Sequence, residues 1–341
     1  RHPLQPFSPR YFQGDAVLVS YAETLCEASR RAAGARDRRA PFLSGELPEP
    51  PDEWRQVSVE QFLRFFDHPV RALARERLGI RLEEGEGPLE TREPFTLGPL
   101  ESHQLRQRLV EGALETRSAD ETAAAIRGGG LLPHGQVGEI LLGRTQILAE
   151  AFARQVAARH STAGRPPCPV ELELFPIRLR GQIGELFPEG RFVYRCGKIR
   201  VKDRLRLWIT HLLLDRAAPP DLPRQSRLLA EDGMLCFGAV EEAERLLRHL
   251  ATLYWNGCRR CLPLFPETSY AFALRLCKDG DRAMAFKAAR AVWAENEFTG
   301  RGEATDPYHR LVVRRVDPLD DEFAALAEAL FFPLFAHQVQ E

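Results

Sequence analysis

No apolar run in this 341-residue chain approaches the roughly 20 residues that a membrane-spanning helix requires, and no membrane association is expected. Excess charge is missing too. The chain has 47 Lys and Arg against 48 Asp and Glu, a net charge of −1, so any nucleic-acid contact must come from a local basic patch. The seven cysteines are scattered at 26, 168, 196, 236, 258, 261 and 277. An odd, dispersed set fits a reducing compartment rather than a disulfide framework, so a cytoplasmic location is expected. The chain lacks a P-loop, a dinucleotide-binding glycine fingerprint and a serine nucleophile elbow. It also lacks internal repeats, low-complexity tracts and a signal-like apolar region after Arg1. The first residue is not Met, which reads as a piece cut or processed from something longer.

A composition of 44% hydrophobic and 28% charged residues is that of an ordinary globular chain able to bury a substantial core. Residues 1–51 are rich in proline and arginine, with little sustained periodicity apart from Ala16–Ala33. They read as an extension or linker ahead of a domain over 52–341. "SVEQ" at 58–61 has the form of a capping box opening a helix with Phe62, Phe65 and Phe66 on its apolar positions. Asp67-His68-Pro69 interrupts it, and "VRALARERLGI" resumes. Further helices are expected over "LESHQLRQRLVEGAL", after "SADE" (118–121) and over "GEILLGRTQILAEAFARQVAARH".

From Val170 to Val201 the alternation of Val, Ile, Leu, Phe and Tyr with polar residues predicts strands. Helical periodicity returns from Asp203, with Leu205, Trp208, Ile209 and Leu212 on one face. A short strand "MLCFGA" follows, then helices near 240–254, 267–278 and 281–296. The last helix would take Asp317 as N-cap and Pro318 as first residue. Helices, a small sheet and helices again imply an α/β or α+β core with a heavy helical coat.

Three constellations could carry chemistry. "CRRC", Cys258 and Cys261, has the spacing of half a zinc or iron–sulfur ligand set, but no second CxxC completes it, and packed thiols are the expectation. His211 and Asp215 lie four apart on a predicted helix and, without a third partner, read as an exposed polar edge. In "KIRVKDRLR" the cations Lys198, Arg200, Lys202, Arg204 and Arg206 fall at every second position. On a strand, Lys198, Arg200 and Lys202 would share one face at a spacing of about 6.6–6.8 Å, near that of nucleic-acid phosphates. Protection of a sheet edge is the other reading of the same run.

"GQIGELFPEGRFVYRCGK" (181–198) reads as two short strands joined by a Pro-Glu-Gly turn. That is the layout of a nuclease hairpin whose strands each carry an acid, followed by a lysine. Only Lys198 stands where that pattern requires it.

Four long segments resemble a known family. "HPLQPFSPRYF" (2–12), "DHPVRALARERLGI" (67–80), "LYWNGCRRCLPLFPETSYAFA" (253–273) and "DPYHRLVVRRVDPLDDEF" (306–323) are similar, in order, to the C-terminal portion of RecC, the gamma subunit of exodeoxyribonuclease V (RecBCD). The resemblance implies a degenerate PD-(D/E)xK restriction-endonuclease-like core. It places the metal-binding histidine position at Leu142, the first acid at Gly184 and the second at Cys196, with Lys198 retained. None of the first three suits a hard divalent cation. The resemblance therefore implies no metal, no cofactor and no hydrolysis by this domain. It implies instead a scaffold lining the DNA path and helping to split the duplex, contacting RecB and RecD, with Lys198, Arg200, Lys202 and Arg204 tracking DNA without reading sequence. An active metal-dependent nuclease, or an assembly module without DNA contact, are the competing readings.

Overall fold

The structure, a computed structural model, describes residues 3–12, 19–33, 42–43, 45–82, 96–115, 117–160, 163–294, 300, 302–314 and 317–339. Twelve α-helices and eight strands occur among them. Helix α1 is Glu23–Ala33, and strand β1 is Gln56–Ser58. Helix α2 (Val59–Asp67) opens on Ser58, whose hydroxyl accepts from the Gln61 backbone N–H at 3.1 Å. The capping box stays half-made, because the Gln61 side chain donates to Glu76 instead. His68 separates α2 from α3 (Pro69–Ala72), and a wide turn over Leu73–Arg77 follows.

The next three helices are α4 (Pro99–Leu114), α5 (Ala119–Gly128) and α6 (Gln136–Ala157). A complete Ser118–Glu121 capping box starts α5, as its sequence predicts. Their inner faces pack as one apolar group around Leu105, Leu109, Ile126, Leu142 and Ala149.

Strands β2 (Cys168–Leu174) and β3 (Ile177–Ile183) form an antiparallel hairpin, and β1 joins β3 in parallel. A second sheet has the order β4-β5-β6-β7-β8. Its strands are β4 (Leu186–Phe187), β5 (Gly190–Tyr194), β6 (Ser226–Ala230), β7 (Gly233–Phe237) and β8 (Gln338–Val339). Between β5 and its parallel neighbour β6 runs α7 (Val201–Ala217). The carboxy-terminal half adds α8 (Ala243–Gly257), α9 (Pro266–Asp279), α10 (Arg282–Trp293), α11 (Pro307–Val313) and α12 (Asp321–His337). The fold is α+β, two small sheets inside a helical coat.

Helix α7 is the centre of the main core. Leu205, Leu207, Trp208, Ile209, Leu212, Leu213 and Leu214 are all buried, so apolar contacts surround the helix instead of lining one face. A helix apolar all round is one enclosed by protein. That enclosure corrects the reading of His211 and Asp215 as an exposed edge. His211 Nδ1 accepts from the Ser226 hydroxyl at 3.0 Å and Nε2–H donates to the Gly238 carbonyl at 2.8 Å. Asp215 accepts from the Val240 N–H at 3.4 Å. The pair stitches α7 to the β6–β7 region.

Two other expectations change. The basic run is not a strand: β5 ends at Tyr194, Gly197 turns the chain at φ +157°, and Asp203 accepts the Arg200 backbone N–H at 2.9 Å, starting α7 at Val201. Lys198, Arg200 and Lys202 therefore do not share a pleated face. Helix α12 begins later than predicted, on Asp320, which accepts from the Phe323 N–H at 2.9 Å. Asp317 instead closes a local turn with the Leu319 N–H.

Replacing fully buried Leu212 with Ala leaves a cavity at the centre of this core. Urea unfolding should show a loss of about 2–5 kcal/mol, whereas Lys202→Ala on the exposed side of the same helix should stay within about 0.5 kcal/mol of the parent.

Candidate functional site: a cleft closed by arginine–carboxylate pairs

The hairpin singled out by sequence is present but divided. Its turn is Pro188-Glu189, with Leu186 opposite Arg191 and Phe187 opposite Gly190. The residues before it, Ile177–Ile183, belong to the other sheet. At the changeover Glu185 takes φ +60°, a left-handed conformation uncommon for a side chain of this type. Such outliers persist only where the surroundings hold them.

Here they border a cleft of about 1070 Å³, walled by β3, β5, α4 and the starts of α2 and α7. Gly184 and Cys196 both line it. Leu142 is buried on α6 in the same apolar cluster as Cys196. Lys198 is exposed on the loop beyond and is not part of the cleft wall. Of the four positions, then, two share the cleft, one packs in the cluster that holds Cys196, and the lysine stands outside.

Carboxylates do reach the cleft, from positions that the sequence reading did not use. Glu185 lines it, because its left-handed backbone removes it from the strand alternation that would have turned it away. Its oxygen lies 2.6 Å from Arg191. Asp203 pairs with Arg195 at 3.2 Å. Arg206 sits between Asp67, at 2.6 Å, and Glu60, at 3.3 Å, and the Asp67 hydrogen bonds hold its guanidinium above its usual range. Each of these four acids is therefore already bound to a guanidinium, whereas Glu111, a further acid in the cleft wall, accepts from the Gln107 side-chain amide at 2.9 Å. Glu173 lies on the exposed side of β2, paired with Arg178.

The remaining groups are poor ligands or bases. Burial pushes the Cys196 thiol up to about 11, and its carbonyl accepts from His103 Nδ1–H at 2.8 Å. His103, Arg191 and Arg195 carried no motif signal. They matter only because α4 and β5 converge, a tertiary fact. Cys258 and Cys261 have thiols pushed to about 12 by burial.

Among the described residues one trio of potential ligands approaches metal-binding distances, and none of it lines the cleft: His68, Asp306 and His309. The proton position inferred at His68 does not suit an ion, although His309, which donates Nδ1–H to the Glu303 carbonyl, keeps its buried Nε2 bare. His68 Nδ1 accepts from the Arg71 N–H at 3.1 Å, so the ring proton sits on Nε2, 3.1 Å from Asp306 Oδ1. A neutral imidazole ligating through Nε2 needs that nitrogen bare. Asp306 also accepts from the Tyr308 and His309 backbone N–H groups, and His309 Nδ1–H donates to the Glu303 carbonyl at 2.7 Å. The trio is a staple that caps α3 and α11 and ties them together.

A family model for the RecC C-terminal domain matches residues 54–277. The chain belongs to this family. It is 28% identical to the RecBCD enzyme subunit RecC of Escherichia coli K12 over 98% of its own length and 30% of that protein. It is also 28% identical to the RecC subunit of Mycolicibacterium smegmatis, over 82% of the chain and 26% of the relative. The corresponding figures for Mycobacterium tuberculosis H37Rv are 27%, 90% and 28%. The chain thus spans under a third of the length of these RecC relatives. Among its described residues no helix is long and apolar enough to cross a membrane.

His309 supplies a pH test of the staple. Burial, reinforced by neighbouring His68, holds its imidazole down to about 4. The unfolded chain then binds more protons than the folded one between about pH 6.5 and 4, so this part of the stability is complete above about 6.5 and is lost as pH falls through about 4. Buried Glu303, its carboxyl pushed up to about 7, contributes in the opposite sense as pH falls, so the His309 share is read by difference: between about pH 6.5 and 4 the parent should lose on the order of 1–3 kcal/mol more stability than His309→Gln in denaturant unfolding.

Proposed function

We propose that the chain is the non-cleaving C-terminal part of a RecC-type gamma subunit within an exodeoxyribonuclease V (RecBCD) helicase–nuclease, acting in double-strand break repair by homologous recombination. Family membership supports the subunit assignment. On this reading residues 52–341 are a degenerate PD-(D/E)xK domain, and 1–51 connect it to an upstream helicase-like region. RecB, RecD and DNA are its cytoplasmic partners.

The observation that carries the non-cleaving part is the chemistry of the cleft. A nuclease of this type needs carboxylates free to hold a divalent ion, which polarises the phosphate and generates hydroxide. At the expected positions stand Gly184 and Cys196, the nearby acids Glu185, Asp203, Glu60 and Asp67 are engaged by arginines, and Glu111 alone of the cleft acids named is held by an amide, that of Gln107. Lys198 could stabilise charge, but alone it generates no nucleophile. The ancestral hairpin then serves as scaffold, joining two sheets beside α7.

Guiding a strand requires cations that meet phosphates without reading bases. Lys198, Arg200 and Lys202 are exposed around the start of α7 and supply that surface. Arg204 is half-buried, with its guanidinium 5.6 Å from the Tyr270 ring centroid, so it supports the patch from behind.

Two measurements test this. Incubated with Mg²⁺ or Mn²⁺ and single-stranded DNA, the chain should give no EDTA-sensitive cleavage. Cleavage abolished by EDTA and by Lys198→Ala would instead establish an active nuclease. In the assembled complex, replacing Lys198, Arg200 and Lys202 together with Ala should weaken DNA binding and reduce the log–log salt slope by about 2–3. Unchanged affinity and slope would remove these residues from the DNA path and favour an assembly module.

A further inference from the structure

Helix α7 carries two arginines with opposite surroundings. Arg206 lies between two carboxylates, Asp67 and Glu60, which neutralise it within the fold. Arg204, two residues earlier, is half-buried, and among the described residues no carboxylate pairs with it. Its guanidinium sits over the Tyr270 ring of α9, 5.6 Å from the centroid, and its Nη1 donates to Gln338 Oε1 at 3.5 Å. Both holders are themselves fixed. Phe331 and Phe335 of α12 meet the Tyr270 ring edge-on, each at 5.5 Å, and Gln338 pairs with Phe237 in the second sheet. A long cation is thus kept in one orientation by a ring and an amide, neither of which cancels its charge.

The surface around Arg204 is positive. Arg200 lies one turn earlier, its carbonyl accepting the Arg204 N–H at 3.2 Å, and Arg200, Lys202 and Lys198 are all exposed. Of the acids nearby, Asp203 is turned to Arg195, and Asp232 accepts the Ile199 N–H at 2.9 Å. Glu267 stands near Lys202 and Arg200 without pairing to either among the described residues. Lys198, Arg200, Lys202 and Arg204 therefore face only Asp232 and Glu267. Depth separates these cations, since the three exposed ones form a rim and Arg204 is recessed behind it. A duplex presents its phosphates outward and keeps its bases stacked inside, so it can meet the rim but has nothing to place in the recess. An unpaired strand has bases free to turn inward, and a guanidinium plane backed by a ring is a surface on which a base stacks.

We infer that Arg204 is a stacking shelf for one unpaired base, with Arg200 and Lys202 holding the flanking phosphates, so that this surface selects single-stranded over duplex DNA. The inference rests on the strand-guiding reading above and adds to it the form of DNA and the residue that selects it. A stacking plane is indifferent to which base lies on it, so selection by strandedness comes without selection by sequence. Lysine at position 204 would keep the charge and lose the plane, which supplies the test.

The experiment uses the full-length subunit in its assembled complex and a forked DNA carrying 4-thiothymidine at successive positions of its unpaired arms. In the parent, one position should crosslink to the segment of α7 or α9 that holds Arg204 and Tyr270. Arg204→Lys should lower that crosslink, and the affinity for a single strand, about fivefold or more, with the log–log salt slope and the affinity for blunt duplex unchanged. Tyr270→Leu, which removes the ring behind the shelf, should act in the same direction. A purely structural tie would lower the thermal midpoint and leave the crosslink and the single-strand affinity at parent values, and that result overturns the inference. An equal loss on duplex overturns it too, as does a loss of partner subunits with DNA affinity intact. The two readings fail separately. If Lys198, Arg200 and Lys202 can all be replaced by Ala without effect, the strand path itself falls, whereas a loss in that triple variant beside a parent-like Arg204→Lys removes the shelf alone.

Discussion

Enclosure of α7 is the constraint from which the rest of the molecule follows. Between its exposed ends, from Leu205 to Asp215, α7 has almost no solvent in which to place polar side chains, so they must find partners inside. His211 finds Ser226 and Gly238, Asp215 finds Val240, and Arg206 finds Asp67 across on α2. These bonds fix α7 against the β6–β7 region on one side and against α2 on the other. The start of α7 then sets one wall of the cleft, with Asp203 facing Arg195.

The cleft is consequently held by the same pairs that fill it. Glu185 and Arg191 close the β4–β5 hairpin, Arg195 and Asp203 join β5 to α7, and Arg106 with Glu231 joins α4 to the β6–β7 turn. A metal site needs several carboxylates whose repulsion is relieved by an ion. Here the relief comes from guanidiniums on neighbouring elements, which cannot dissociate and are protonated at any working pH. Arg191 shows the cost of this arrangement: burial alone lowers its affinity for a proton, and Glu185 offsets that. Releasing Glu185 to bind an ion would strand Arg191 in the buried wall, and releasing Asp203 would strand Arg195.

Most helices were legible because their signals are local. Ser118 with Glu121, Ser58 ahead of the Phe62–Phe66 run, and Pro69 after His68 all lie within one turn of the boundary they set. The α+β class followed from the order of those helices and the Val170–Tyr194 strands. Strand β6 was missed, since "SRLLA" is five residues long without polar–apolar alternation, although the Asp232-Gly233 pair after it is a hairpin-turn signal. The basic run was misread because alternation of charge mimics a strand, while the true determinants, the Gly197 turn and the Asp203 cap, act on the backbone. Gly184 and Cys196 do meet at one cleft, yet Arg191, Arg195 and His103 were invisible, as their roles arise only when β5, α4 and α7 converge.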